Sequence, residues 1–146
     1  MKNSVSGSAA IVVNTSTDKL WEALTNPDII RQYLYGANTI TDWKEGSPIV
    51  FEGEWQGKSY RDKGTILEIR PKKILKYSYW SSLGKMDDNP ENYMVVTYTL
   101  TEDENNYTML TVQQDNIPSE EAKKHSVENW QIVLGNLKRL LEKEPV

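Results

Sequence analysis

The residues best equipped for chemistry in this chain are few and scattered. His125 is the sole histidine. Any Ser-His-Asp triad or histidine-bearing metal site has to use it, and a zinc site needs three or four ligands. Four residues on, where a second helical ligand would sit, the chain has Asn129. Asp87 and Asp88, and the run Glu102-Asp103-Glu104, offer carboxylates for calcium. They lack the alternating oxygens and central glycine with which an EF-hand loop wraps the ion. Gly53 and Gly57 build no phosphate cradle, because no glycine-rich turn runs from a strand into a helix with a lysine behind it. The chain has no cysteine, which removes thiolate nucleophiles, disulfides and cysteine zinc sites. The expectation is no catalytic residue, no metal ligand and no cofactor.

Two other sets carry more. Glu52, Glu54, Arg61, Asp62 and Glu68 fall in strand-like segments. Cross-strand ion pairs on an outer face are the favoured role. An inward member would be functional, since burying a charge unpaired is costly. The sequence leaves the orientation of Glu52, Glu54, Arg61 and Glu68 open, because Gly64 is a possible bulge that would change the phase. The second set is aromatic: Trp21, Trp55, Tyr77, Tyr79, Tyr98 and Trp130. Tyr and Trp bring apolar faces with one polar atom each, as pocket walls do. With Leu24 and Leu134 they are the candidate lining of a ligand cavity. A fully packed aromatic core is the alternative.

The elements that position these residues follow from pattern. Val5 to Asn14 reads as a strand ending in the β-branched run Ile11-Val12-Val13. Thr15 and Asp18 are spaced as a capping box for a helix carrying Leu20, Trp21 and Leu24 on one side. Pro27 opens a second short helix with Ile29, Ile30, Tyr33 and Leu34 apolar, and Gly36 stops it. Strand-like segments follow at 39–43, 49–55, 59–69, 74–80, 93–100 and 107–114. Gln56-Gly57-Lys58 is a tight hairpin turn. Leu75, Tyr77 and Tyr79 share one face of their strand. The segment 81–91 is polar, with Asp87, Asp88, Asn89 and Pro90, and reads as an exposed loop. Pro118-Ser119-Glu120-Glu121 starts a last helix, with acids at its positive end. Val127, Trp130, Leu134, Leu137 and Leu141 recur there at three- and four-residue steps. A run of hairpins needs a helix on one face to bury it. The fold class is α+β: a curved antiparallel sheet of about six strands around a long C-terminal helix, with two short helices after the first strand.

The chain has 146 residues and a formal net charge of −4. That length fits one domain, 1–146. Lys and Arg are scattered, so a nucleic-acid footprint is absent. No apolar run approaches a membrane span. The N-terminus lacks the basic start and apolar block of a secretion signal, and nothing calls for an oxidising compartment, so the expected location is cytoplasmic.

Two segments carry a resemblance. One is Ile11-Val12-Val13 followed by Leu20-Trp21-Glu22-Ala23-Leu24-Thr25-Asn26-Pro27-Asp28. The other is His125 with Asn129-Trp130 and then Leu134, Leu137 and Leu141. With Gly64, Glu68, Pro71 and Leu75 between them, the chain resembles the heat-shock protein 90 ATPase activator homologue family. That family lies within the START-like, birch-pollen-allergen-like (SRPBCC) superfamily. It departs at Asn129, where the family often has Gly, and at Tyr33, near an expected Trp. The resemblance implies a helix-grip fold whose interior often holds an apolar or amphipathic ligand.

Three functions are therefore in view. The first is a non-enzymatic binder of an apolar or amphipathic small molecule. The second is a protein-interaction module that regulates a chaperone ATPase or docks another protein, with 81–91 and Lys58 to Lys63 as its contact regions. The third is a small-molecule cyclase or hydratase, carried by fold analogy alone.

Overall fold

The computed structural model describes residues 5–82, 87–102 and 107–142. The strands are β1 (Val5–Val13), β2 (Asn38–Ile40), β3 (Pro48–Trp55), β4 (Lys58–Arg70), β5 (Ile74–Tyr79), β6 (Met94–Glu102) and β7 (Thr108–Ile117). The helices are α1 (Thr17–Thr25), α2 (Pro27–Tyr33) and α3 (Glu120–Glu142). The strands form one curved antiparallel sheet in the order β1-β7-β6-β5-β4-β3-β2. Each neighbouring pair is consecutive in sequence except β1–β7. That pair brings the two ends of the sheet-forming chain together, and α3, leaving β7, packs back against β1. The first strand thus joins the six that follow the short helices, and the fold is helix-grip α+β.

Local sequence explains most boundaries. Ser16, not Thr15, caps α1: its Oγ accepts from the Lys19 N–H at 3.2 Å. The expected box was one residue early because the Thr15 N–H turns back to the Val13 carbonyl, which ends β1 first. Asn26 caps α2 through the Asp28 N–H, with Pro27 at the first turn. Gln56 and Gly57 take φ of 51° and 81° between the paired ends Trp55 and Lys58, a two-residue hairpin loop with both φ positive. Ser119 Oγ accepts from the Ala122 N–H at the start of α3.

Gly64 is not a bulge. A Cβ there would lie 1.6 Å from the Ser78 carbonyl oxygen, so glycine is what lets β5 approach β4. The register irregularity falls between Ile66 and Glu68 instead. Asp62 and Ile66 consequently face inward together, and the phase changes only after Ile66.

The core lies between the concave face of the sheet and the helices. Leu20, Ile49, Ile66, Leu75, Leu110, Val112, Leu134 and Leu137 are fully enclosed. The α3 stripe includes Val133, which packs with Leu134 and Leu137. Tyr33 is buried, and its hydroxyl donates to the Ala23 carbonyl at 2.8 Å. One of the two departures from the family pattern thus ties α2 to α1.

Candidate functional site

The packing does not close everywhere. A cavity of about 360 Å³ remains between α3 and strands β3–β7. Such volumes suit a small organic ligand. Its walls come from the α2–β2 connection (Leu34, Tyr35, Ala37), from β3 and β4 (Phe51, Tyr60, Asp62), from β5–β7 (Tyr77, Tyr79, Met94, Val96, Gln114) and from α3 (Ser126, Asn129, Trp130).

Strand pairing places the aromatic wall. Tyr77 and Tyr79 stand two apart on β5, so both point to the concave face. Phe51 contacts both, with ring centroids 5.6 Å from Tyr77 and 6.0 Å from Tyr79. Tyr60 sits opposite Gly53 in the β3–β4 register, and its ring folds over the glycine. A Cβ at Gly53 would lie 2.7 Å from the Tyr60 hydroxyl. Here a missing side chain positions an aromatic one.

The helix side is held by polar contacts. Trp130 Nε1 donates to Gln114 Oε1 at 2.7 Å. The Gln114 amide nitrogen in turn faces Met94 Sδ at 2.9 Å. Tyr98, behind the wall, meets the Trp130 ring edge-on at 5.8 Å. At the rim, the Tyr35 hydroxyl donates to Asn129 Oδ1 at 2.8 Å and bridges the α2–β2 connection to α3. Asn129, the other departure from the family pattern, therefore borders the cavity.

Among the described residues Asp62 is the only ionisable carboxylate in the lining, and it is 7% exposed. It accepts from the Tyr79 hydroxyl, from the Ser82 N–H at 2.8 Å and from Ser82 Oγ at 3.2 Å. Burial first, then the Asp62 carboxylate, hold the Tyr79 hydroxyl well above its ordinary range. The same two causes raise Tyr60. Tyr77 is raised by burial and by the Tyr98 hydroxyl beside it. Tyr98 is pushed up to about 12 by burial. All four phenols are therefore neutral hydrogen-bonding groups at neutral pH.

Of the aromatic and leucine candidates named from the sequence, Tyr77, Tyr79 and Trp130 line this cavity. Leu24, Tyr98 and Leu134 do not: they are buried in the closed apolar cluster, with Tyr98 a layer behind. Trp21 packs on that cluster from α1 rather than on the cavity. Helical spacing put Trp21 and Leu24 on the inner side, but α1 covers solid core. Trp55 ends β3, and its side chain lies outside the described residues. Arg61 and Glu52 pair across the outer face at 2.9 Å, Glu68 pairs with Arg70 at 2.8 Å, and Glu54 is exposed. His125 is exposed on α3. Part of the 81–91 loop (83–86) lies outside the described residues, as do Asp103 and Glu104 of the acidic run. Asp62 belongs to the charged strand set whose favoured role was an outer-face ion pair, and it faces the cavity instead; Phe51, Tyr60 and Gln114 carried no such expectation. Period-two alternation from Tyr60 through Asp62 was the available signal, once Gly64 is known to keep the phase.

No helix among the described residues is long and apolar enough to cross a membrane. No curated protein gives a significant match. Solved structures do. ChR145 from Cytophaga hutchinsonii is 46% identical, with a TM-score of 0.83, over 95% of this chain and 94% of that one. MLL2253 from Mesorhizobium loti is 22% identical, with a TM-score of 0.75, over 95% and 99%. The Aha1 dimer from Colwellia psychrerythraea is 19% identical, with a TM-score of 0.74, over 94% and 96%. The latter two show the shared fold. The family model described as Activator of Hsp90 ATPase homolog 1-like protein matches residues 14–142. With nearly the whole chain covered by that model, this protein belongs to the Activator of Hsp90 ATPase homolog 1-like family.

Proposed function

We propose that this chain is a non-enzymatic binding protein that holds an amphipathic small molecule in the cavity between sheet and α3. The observation that carries the reading is the cavity itself: about 360 Å³, walled by six aromatic rings with a few polar points among them. Apolar faces supply the affinity, and the polar points set the orientation. Native mass spectrometry of the purified chain, compared with its denatured mass, tests the idea. A discrete added mass that is lost on denaturation supports it and allows the ligand to be extracted. A clean mass, with no rise in melting temperature from a panel of amphipathic compounds, counts against it.

Family membership favours a second reading, regulation of a chaperone ATPase. It predicts a surface patch that a partner covers. Val12 and Met109 are cross-strand neighbours on the outer face and both are exposed. Stimulation of a purified chaperone ATPase by this chain, lost in Val12→Glu/Met109→Glu, would support this reading over the first. An unchanged ATPase rate removes it.

A further inference from the structure

We infer that the cavity selects a cationic ligand, an ammonium-bearing amphipathic molecule whose charged head sits against Asp62 and whose apolar part lies among the aromatic rings. The inference rests on the small-molecule reading above and specifies its chemistry. Three observations carry it.

The first is an imbalance of charge. Asp62 is more than nine-tenths buried, and among the described residues no Lys, Arg or His lines the cavity with it. Its sequence neighbours on β4 are both basic, yet strand alternation turns them outward. Arg61 pairs with Glu52 at 2.9 Å, and Lys63 pairs with Asp88 at 2.6 Å. Each cation is thus occupied on the other face, and among the described residues no cation pairs with Asp62. A buried carboxylate normally has an ionic partner.

The second is unused acceptor capacity. Among the described residues, one carboxylate oxygen of Asp62 takes both Ser82 donors, and the other takes the Tyr79 hydroxyl alone. An ionised carboxylate has about four lone-pair sites. The site beside Tyr79 is open to a further donor from the cavity.

The third is the wall around it. Tyr60, Tyr77, Tyr79, Phe51 and Trp130 present aromatic rings to the cavity. Ring faces attract ammonium groups, most strongly when water is excluded. The phenols remain neutral, as the upward displacement of Tyr60, Tyr77 and Tyr79 shows. They therefore add no negative charge of their own, and the charge preference comes down to Asp62. An anionic head would meet that carboxylate with no compensating cation among the described residues of the lining.

The test titrates the full chain at neutral pH with three probes of one shape: phenylbutylamine, phenylbutanol and phenylbutanoate. Binding is read by calorimetry and by thermal shift. The amine is expected to bind at least about tenfold more tightly than the alcohol, and the carboxylate least of all. In Asp62→Asn the preference of the amine over the alcohol should disappear. Equal binding of amine and alcohol by the native chain overturns the charge selection and leaves the cavity reading standing. Preference for the carboxylate does the same. No binding of any probe removes the cavity reading and this inference together. Should Asp62→Asn fail to fold, the ratio of amine to alcohol in the native chain decides alone.

Discussion

Trp130 on α3 and Gln114 on β7 are joined by a 2.7 Å hydrogen bond from indole to side-chain carbonyl. Gln114 is one of few polar side chains buried in the sheet. The bond fixes the tilt of the ring that forms the helix side of the cavity. Gln114→Leu keeps the volume but leaves the indole N–H without its acceptor. It should destabilise by about 1–2 kcal/mol. Urea unfolding of Gln114→Leu, Trp130→Phe and the double variant checks this. A coupling energy near zero would mean that the two residues act independently.

Gly64 has backbone, not side chain, in the path of any added Cβ. The Ser78 carbonyl cannot move aside without parting β4 from β5, whose Thr65 N–H to Ser78 Oγ contact lies next to it. Gly64→Ala should cost about 3 kcal/mol or more. The check is the melting temperature together with soluble yield.

Gly53 presents the opposite case. The atoms nearest its missing Cβ belong to the far end of Tyr60, which can swing away. Gly53→Ala should cost less than about 1 kcal/mol while reshaping the cavity wall. Chemical denaturation should show little change. Affinity for a cavity ligand should change several-fold, and unchanged affinity would show that Tyr60 does not contact it.

The buried tyrosines set the alkaline limit of stability. Tyr33, Tyr77 and Tyr79 are held well above the ordinary value of 10.0, and Tyr98 at about 12, with burial the largest cause in each. In the unfolded chain these groups ionise near 10. Above that pH the unfolded state holds fewer protons than the folded state, so stability falls as pH rises. Below pH 10 their contribution is fully present. The melting temperature should therefore drop steeply from about pH 10 towards 12, and phenolate absorbance should lag for these residues until unfolding. Titration of every tyrosine near 10 in the folded protein would contradict this.

The fold was legible because it rests on short-range patterns. Apolar steps of three and four along Val127, Trp130, Leu134 and Leu137 mark α3 without any knowledge of what it packs on. Alternation at Leu75, Tyr77 and Tyr79 assigns the inner face of β5. Gln56-Gly57 fixes one hairpin, and successive hairpins demand a helix to cover the sheet. Family-like segments at both ends agree with that plan.

The cavity was legible only in part, because a void is a relation among elements far apart in sequence. Trp21, Leu24, Tyr98 and Leu134 have the right types and faces, yet other elements fill the space beside them. Whether Asp62 faces in or out depended on the phase of β4, and hence on Gly64. The sequence alone allowed a bulge there. The 1.6 Å approach to Ser78 decides for close strand contact instead. Tyr60 lies over Gly53 because two strands pair in one register. By itself the sequence determined which elements form and which of their faces are apolar, since helix and strand periods are local properties. Only the tertiary structure decided where packing stops short, and that Asp62 faces the opening, since both depend on how distant surfaces meet.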